Sequence, residues 1–356
     1  MSFSATSNFD SVRNSFLVDD GLPFADALTS EQIHAALDDP LADEPNRFDD
    51  DGTIDTPAVT LWAFLSQMLY KQEQRSCQAA VDRVIGWFLA LGRKPPSDST
   101  GTFCRTRSRL SFAGIQQLVR QLADCCEQEL PDEWLWHGRR VFLVDGSTGS
   151  MPDTESNQDE YPQQGAQKVG VGFPIARYVA LISLVSGIAS DLAMGKYMGR
   201  DTGETALFRE LLDRLNGGDV IVADHYYCSW FMIALIMERG VEVVFRLHQK
   251  RTADFHRGTR LGAGDHVVEW ARPAKPEWMD DETYGRMPDV VEMREVDVQV
   301  SEKGFRTQSL VVVTTLTDAE EFPGADVASQ YRQRWRVEID IRAIKCGMDL
   351  DVRAIA

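Results

Sequence analysis

Cysteine is scarce in this chain. Six cysteines stand among 356 residues, at positions 77, 104, 125, 126, 228 and 346, and none pairs with another at CxxC spacing. That excludes a zinc knuckle and a disulfide framework and leaves reduced thiols, as expected of a cytoplasmic protein. Long hydrophobic runs are also missing. The longest, residues 178–189, is too short for a bilayer and gives way to Ser190 and Asp191. The first twenty residues lack a basic start followed by an apolar run, so neither a secretory signal nor a membrane partner is expected. Positive charge is in deficit. Lys and Arg number 37 against 55 Asp and Glu, for a net charge of −18, which argues against a uniform attraction to nucleic acid. No internal repeat and no low-complexity tract is visible.

What is present is ordinary globular material, 43% hydrophobic and 26% charged, in a chain long enough for two or three domains. Its charge is unevenly spread. Residues 1–60 hold 13 acids and two bases, whereas residues 71–120 hold nine bases and three acids. A local basic face can therefore sit within an acidic whole.

Three regions follow. Residues 1–56 form an acidic arm, solvated apart from one short helix at Ser30–Leu37 capped by Ser30. Residues 57–137 read as helices, with 59–70 apolar almost all round and an Arg cluster at Arg105, Arg107 and Arg109. Such a cluster suits DNA phosphates, although a solvated basic face reads the same way. From residue 138 the pattern turns to strands and helices of a mixed α/β sheet. It is interrupted at about 248–305 by a polar stretch read as a β-rich insertion.

Three acids draw notice. Asp145 ends the apolar run RVFLV, Asp224 ends VIVA, and Glu338 lies within 330–348, a stretch with helical periodicity. In open α/β sheets ligands bind at the carboxyl ends of strands. Hard oxygen ligands from several elements suit Mg²⁺, with Mn²⁺ as the alternative, and such ions serve in-line displacement at phosphorus. Each acid also has an ordinary reading, since Asp-Gly at a strand end forms turns and a helical Glu is commonly solvated. On an ideal helix Tyr331, Glu338 and Lys345 fall on one stripe, with Arg334 beside it.

These segments resemble those of a known family. Tyr331, Arg334, Glu338 and Lys345 have the spacing of the signature helix of DDE transposases of the bacterial insertion-sequence-four family. VFLVDGST matches the segment around the family's first acid, VIVADHYYCS that around its second, and the insertion before the Glu is a family trait. The resemblance covers roughly residues 57–350. It implies a ribonuclease H-like catalytic core at 138–356, preceded by a helical DNA-binding domain at 57–137. Asp145, Asp224 and Glu338 would be catalytic and would hold two Mg²⁺ ions. Arg334 and Lys345 would hold phosphates, and Tyr331 would contact the terminal phosphate or a displaced base.

The implied partners are double-stranded DNA, as the terminal inverted repeats and as the target, and a second copy of the chain. The implied reaction is cut-and-paste: nicking, hairpin formation, hairpin opening and strand transfer. The chain stops at Ala356, eleven residues after Lys345, where the family continues with further helices, so a truncated copy is expected. Other readings are a noncatalytic end-binding remnant that represses the full enzyme, and a ribonuclease H-like nuclease without strand transfer. Trp270 and Trp278 are candidates for stacking on a flipped base, with surface or hydrophobic-cluster roles as the equal alternative. His225, directly after the second acid, could touch DNA or metal, but a satisfied structural histidine is the favoured reading.

Overall fold

The computed structural model describes residues 28–37, 56–70, 72–165, 168, 170–300, 308–338 and 341. The described residues divide into two compact units, one of residues up to Glu129 together with Ile341 and the other of residues from Leu130 to Glu338.

In the first unit five helices form among the described residues: α1 Ser30–Leu37, α2 Pro57–Leu69, α3 Cys77–Ala90, α4 Thr100–Arg107 and α5 Phe112–Gln128. Side-chain caps set the starts of all but α4, where Ser99 makes no capping bond. Thr56 accepts from the Val59 amide with Pro57 in the first turn, Ser76 accepts from Ala79, and Ser111 accepts from Gly114. At α1 the cap is Thr29 and not Ser30. Thr29 Oγ1 accepts from the Gln32 amide, and Gln32 Oε1 accepts in return from the Thr29 amide. The segment 28–37 is also not part of a solvated arm. Leu28, Ile33, Ala36 and Leu37 are buried with Ala58, Leu61 and Leu118 of α2 and α5. Gly114 allows the approach, because a β-carbon there would lie 2.5 Å from the carbonyl oxygen of Ala36.

The second unit is built on a mixed sheet. Its strands are β1 Val141–Ser150, β2 Ile175–Ser183, β3 Ala189–Lys196, β4 Val220–Ala223, β5 Glu242–Arg246, β6 Thr259–Gly262, β7 Asp265–Ala271, β8 Val290–Val300 and β9 Gln308–Thr314. Among the described residues they form one sheet in the order β3-β2-β1-β4-β5-β9-β8-β7-β6. β1, β4 and β5 are parallel, and β2 and β3 form an antiparallel hairpin turning at Gly187, whose φ of 70° suits glycine. The polar stretch thus extends the main sheet, because β9 returns to pair with β5.

The remaining helices are α6 Glu155–Glu160, α7 Glu204–Leu211, α8 Trp230–Met237, α9 Asp281–Arg286 and α10 Gly324–Arg332. α7 packs on β2 and β3, and α10 packs chiefly on β5. One core holds Phe142, Val144, Leu207, Phe208, Ile221, Ala223 and most of α8.

Two expectations need correcting. β1 continues through Asp145 to Ser150, since β2 pairs with it as far as Ser150 opposite Ile175. The 330–348 stretch is not one regular helix from Gln330: α10 begins at Gly324, turns at 333–334 and resumes at 335–338. The amides of Gln333, Arg334, Arg336 and Val337 each donate three residues back, which tightens the winding. Tyr331, Arg334 and Val337 therefore share the buried side, while Trp335 is exposed.

Candidate active site

The parallel ladder of β1 and β4 matches Leu143 with Val222. Two residues beyond each stand Asp145 and Asp224. The acids thus leave neighbouring strands at the same level, where strand axes lie about 4.8 Å apart. Alternation puts Asp145 on the sheet face of Leu143 and Asp224 on that of Val222, away from the core of Phe142 and Ala223.

Asp145 is half-buried, and its Oδ1 accepts from the Gly146 amide at 3.0 Å. Burial pushes its carboxyl up to about 6; the Gly146 amide and Arg334 pull it down, while Glu338 and Asp224 add to the rise. Asp224 Oδ1 accepts from the Tyr226 amide at 2.7 Å, closing a turn straight after the strand, and His225 Nδ1 lies 3.4 Å from Oδ2. His225 thus belongs to the site's border and not to a core. Its ring faces His248, whose pKa is lowered by burial and by the neighbouring His225, Lys250 and Arg251.

Glu338 Oε1 lies 2.7 Å from Arg334 Nη1, one helical turn apart. Arg334 is almost fully buried. Burial works against its charge, but Tyr331, Glu338 and Asp145 outweigh that and hold its pKa above the usual value. Tyr331 is buried beside it, and burial raises the phenol's pKa against the pull of Arg334 and Arg246. The structure therefore gathers Asp145, Asp224, Tyr331, Arg334 and Glu338 within one electrostatic neighbourhood. Lys345 lies outside the described residues.

The helical arginines differ from one another. Arg105 is exposed. Arg107 is turned inward, its Nη1 donating to Gln67 Oε1 at 3.0 Å. Arg109 is half-buried. Trp270 is buried, donating to Glu295 beneath the Arg251 guanidinium, so it is not free to receive a base. Trp278 packs on Phe231 under Arg209.

Two residues at the site were not singled out from sequence. Tyr227, wholly buried, donates its O–H to Glu204 Oε2 at 3.3 Å. The Glu204 carboxyl has a pKa raised by burial and, more weakly, by the Asp224 charge, against the hydrogen bond from Tyr227 and the field of Arg177. The available signals were a Glu in the first turn of the helix after the β2–β3 hairpin, and an aromatic pair straight after the second acid.

Among the described residues no three acidic, His or Cys side chains meet closely enough to form a ready cation cage. The donor set nevertheless suits a hard divalent ion. Its members are carboxylates, burial and then the Glu338 and Asp224 charges raise the Asp145 pKa, and the nearby cation Arg334 is already paired with Glu338.

The fold and the acidic site together are compatible with a ribonuclease H-like core. Residues 136–353 match the family model described as the transposase DDE domain, and the chain belongs to that family. It is similar to the transposase InsG for insertion sequence element IS4 of Escherichia coli (strain K12), with 23% identity over 294 residues, 82% of this chain and 62% of that protein. It is also similar to the putative transposase InsZ of the same strain, with 26% identity over 139 residues, 38% of this chain and 45% of that one. The chain spans about three fifths of the first relative's length and under half of the second's. No helix among the described residues is long and apolar enough to cross a membrane.

Proposed function

We propose that this chain acts in DNA transposition, cutting and joining DNA at the ends of an insertion sequence. The observation that carries the reading is the register Leu143 to Val222, which sets Asp145 and Asp224 side by side with the Arg334–Glu338 pair in their field. Asp145, Asp224 and Glu338 would hold divalent cations, Mg²⁺ with Mn²⁺ as substitute, which supply an activated oxygen nucleophile and neutralise charge at phosphorus.

The chain's own residues do the rest. Arg334 fixes the rotamer of Glu338 by a charge-assisted bond. Tyr331 packs the guanidinium in place from the preceding turn. The Tyr226 amide fixes Asp224, and the Gly146 amide fixes Asp145. Residues 57–137 serve as the DNA-binding part, with Arg105 and Arg109 on phosphates and Arg107 holding the helices together. Two copies acting on paired inverted repeats fit a reaction in which both ends are cut before joining.

The test is incubation of the purified chain and of its Glu338→Gln variant with end-containing DNA and Mg²⁺. Nicked and hairpinned ends from the parent chain alone support the reading. A parent chain that binds the ends and leaves them intact overturns it.

A further inference from the structure

Behind the two strand-end acids, on the other face of the sheet, a second contact joins their carriers. The β1–β4 ladder stops at Leu143 and Val222, so backbone pairing between these strands does not reach Asp145 and Asp224. Glu204 lies at the start of α7, after an extended Gly203, and α7 is anchored by buried Leu207, Phe208 and Leu211. Its carboxyl end presses on Gly146, the residue next to Asp145. A β-carbon at Gly146 would lie 2.4 Å from Glu204 Cδ and 2.6 Å from Oε2. The same carboxyl accepts from Tyr227, three residues after Asp224. The Tyr227 ring is fixed edge-on against Phe208 at 5.5 Å. Arg177 lends its field to Glu204, and its Nη1 donates to the Thr202 carbonyl at 3.0 Å.

We propose that Glu204 is a positioning residue that sets the spacing of Asp145 and Asp224 from behind the sheet, by contact with Gly146 and by the hydrogen bond from Tyr227. This rests on the reading of the two acids as cation ligands. Gly146 is part of the device, because a methyl group there would displace the flexible Glu204 carboxyl. The role is assigned to an acceptor of this size, through its contact with Gly146 and the hydrogen bond from Tyr227, and not to its charge, although the Asp224 carboxylate is near enough to raise the Glu204 pKa.

The test uses the full chain and its variants E204A, E204Q, Y227F, G146A and G146A/E204A. Mn²⁺ binding without DNA is read by paramagnetic resonance. Mg²⁺ dependence of end cleavage, end binding and melting temperature are read in parallel. Removing a residue that orients ligands weakens metal affinity by about 10-fold or more. E204A and Y227F should therefore show weaker Mn²⁺ binding and a higher Mg²⁺ requirement, with end binding unchanged. E204Q, which keeps the acceptor, should stay close to the parent. G146A should weaken Mn²⁺ binding in the parent and add nothing in E204A, because it acts through the same side chain.

Parent-like Mn²⁺ binding by E204A, additive effects of G146A and E204A, or an E204Q as weak as E204A would each overturn the proposal while the acids' role stands. A parent chain that neither binds Mn²⁺ nor cuts would overturn the cation reading, and this one with it.

Discussion

Asp145 is held at a cost to the fold. Its carboxyl titrates at about 6 in the folded chain, above its ordinary 3.8, first because it is half-buried and then because Glu338 and Asp224 repel its charge. Between those two pH values the folded state keeps a proton that the unfolded chain has lost, so stability falls as pH rises through that window. D145N should melt higher than the parent at pH 7.5, by on the order of 3 °C, while losing cleavage. The gain should grow as pH rises from 3.8 towards 6, be complete well above pH 6 and vanish well below 3.8, where both states carry the proton. Melting curves across that range decide it; a pH-independent gain, or a loss at pH 7.5, would refute the electrostatic account. Mg²⁺ should raise the parent's melting temperature at pH 7.5 and leave D145N unmoved. Asp145, Asp224 and Glu338 were legible in the sequence, because apolar runs ending in acids and a spaced helix are local patterns. Glu204 was not, because its contact with Gly146 joins positions 58 residues apart through the sheet. The inward turn of Arg107 was likewise hidden, since it depends on Gln67 forty residues earlier.

Among the elements, the extension β6–β9 does more than lengthen the sheet. Arg294 of β8 is wholly buried and forks onto Asp265 of β7, with Nε to Oδ1 at 2.8 Å and Nη2 to Oδ2 at 2.5 Å. Its Nη1 also donates to the carbonyls of Phe322 and Leu316, just ahead of α10. The pair thus ties the extension to the start of the segment that delivers Glu338. Removing one partner strands a buried charge, so D265A should cost about 3–5 kcal/mol in urea unfolding. Replacing both, as D265L/R294M, should recover much of that loss. A D265A as stable as the parent, or a double variant worse than the single, would contradict this role. The strands of the extension could be read from alternation, but their union with the main sheet could not. It hangs on β9 returning to β5, where Val244 meets Thr314 seventy residues away. The tightened turn at 333–334 was also invisible, because a step of three and a step of four residues bury the same apolar set until side chains such as Arg334 are seated.

Over the whole chain, the uneven charge bears on how DNA would be met under the proposed function. Residues 38–51 carry seven acids and one base, while residues 71–120 carry nine bases and three acids. Under the proposed function, acids tethered near this basic stretch would compete with phosphate for its cations, a competition screened over about 10 Å at 0.1 M salt. Replacing the seven acids of 38–51 by Asn and Gln leaves the buried residues of α1 intact. Affinity for end DNA should then rise several-fold at 50 mM salt, and the advantage should shrink steadily towards 0.5 M. Arg105→Ala should act in the opposite sense, weakening binding to all sequences alike and lowering the salt slope by about one. Arg107→Ala should instead lower the melting temperature, because its guanidinium is spent on Gln67. Titrations of labelled end and random DNA across the salt range separate these effects. Equal affinities of parent and neutralised chains at every salt concentration would show that the acidic stretch does not restrain binding. A salt slope unchanged by R105A would remove that arginine from the phosphate contacts.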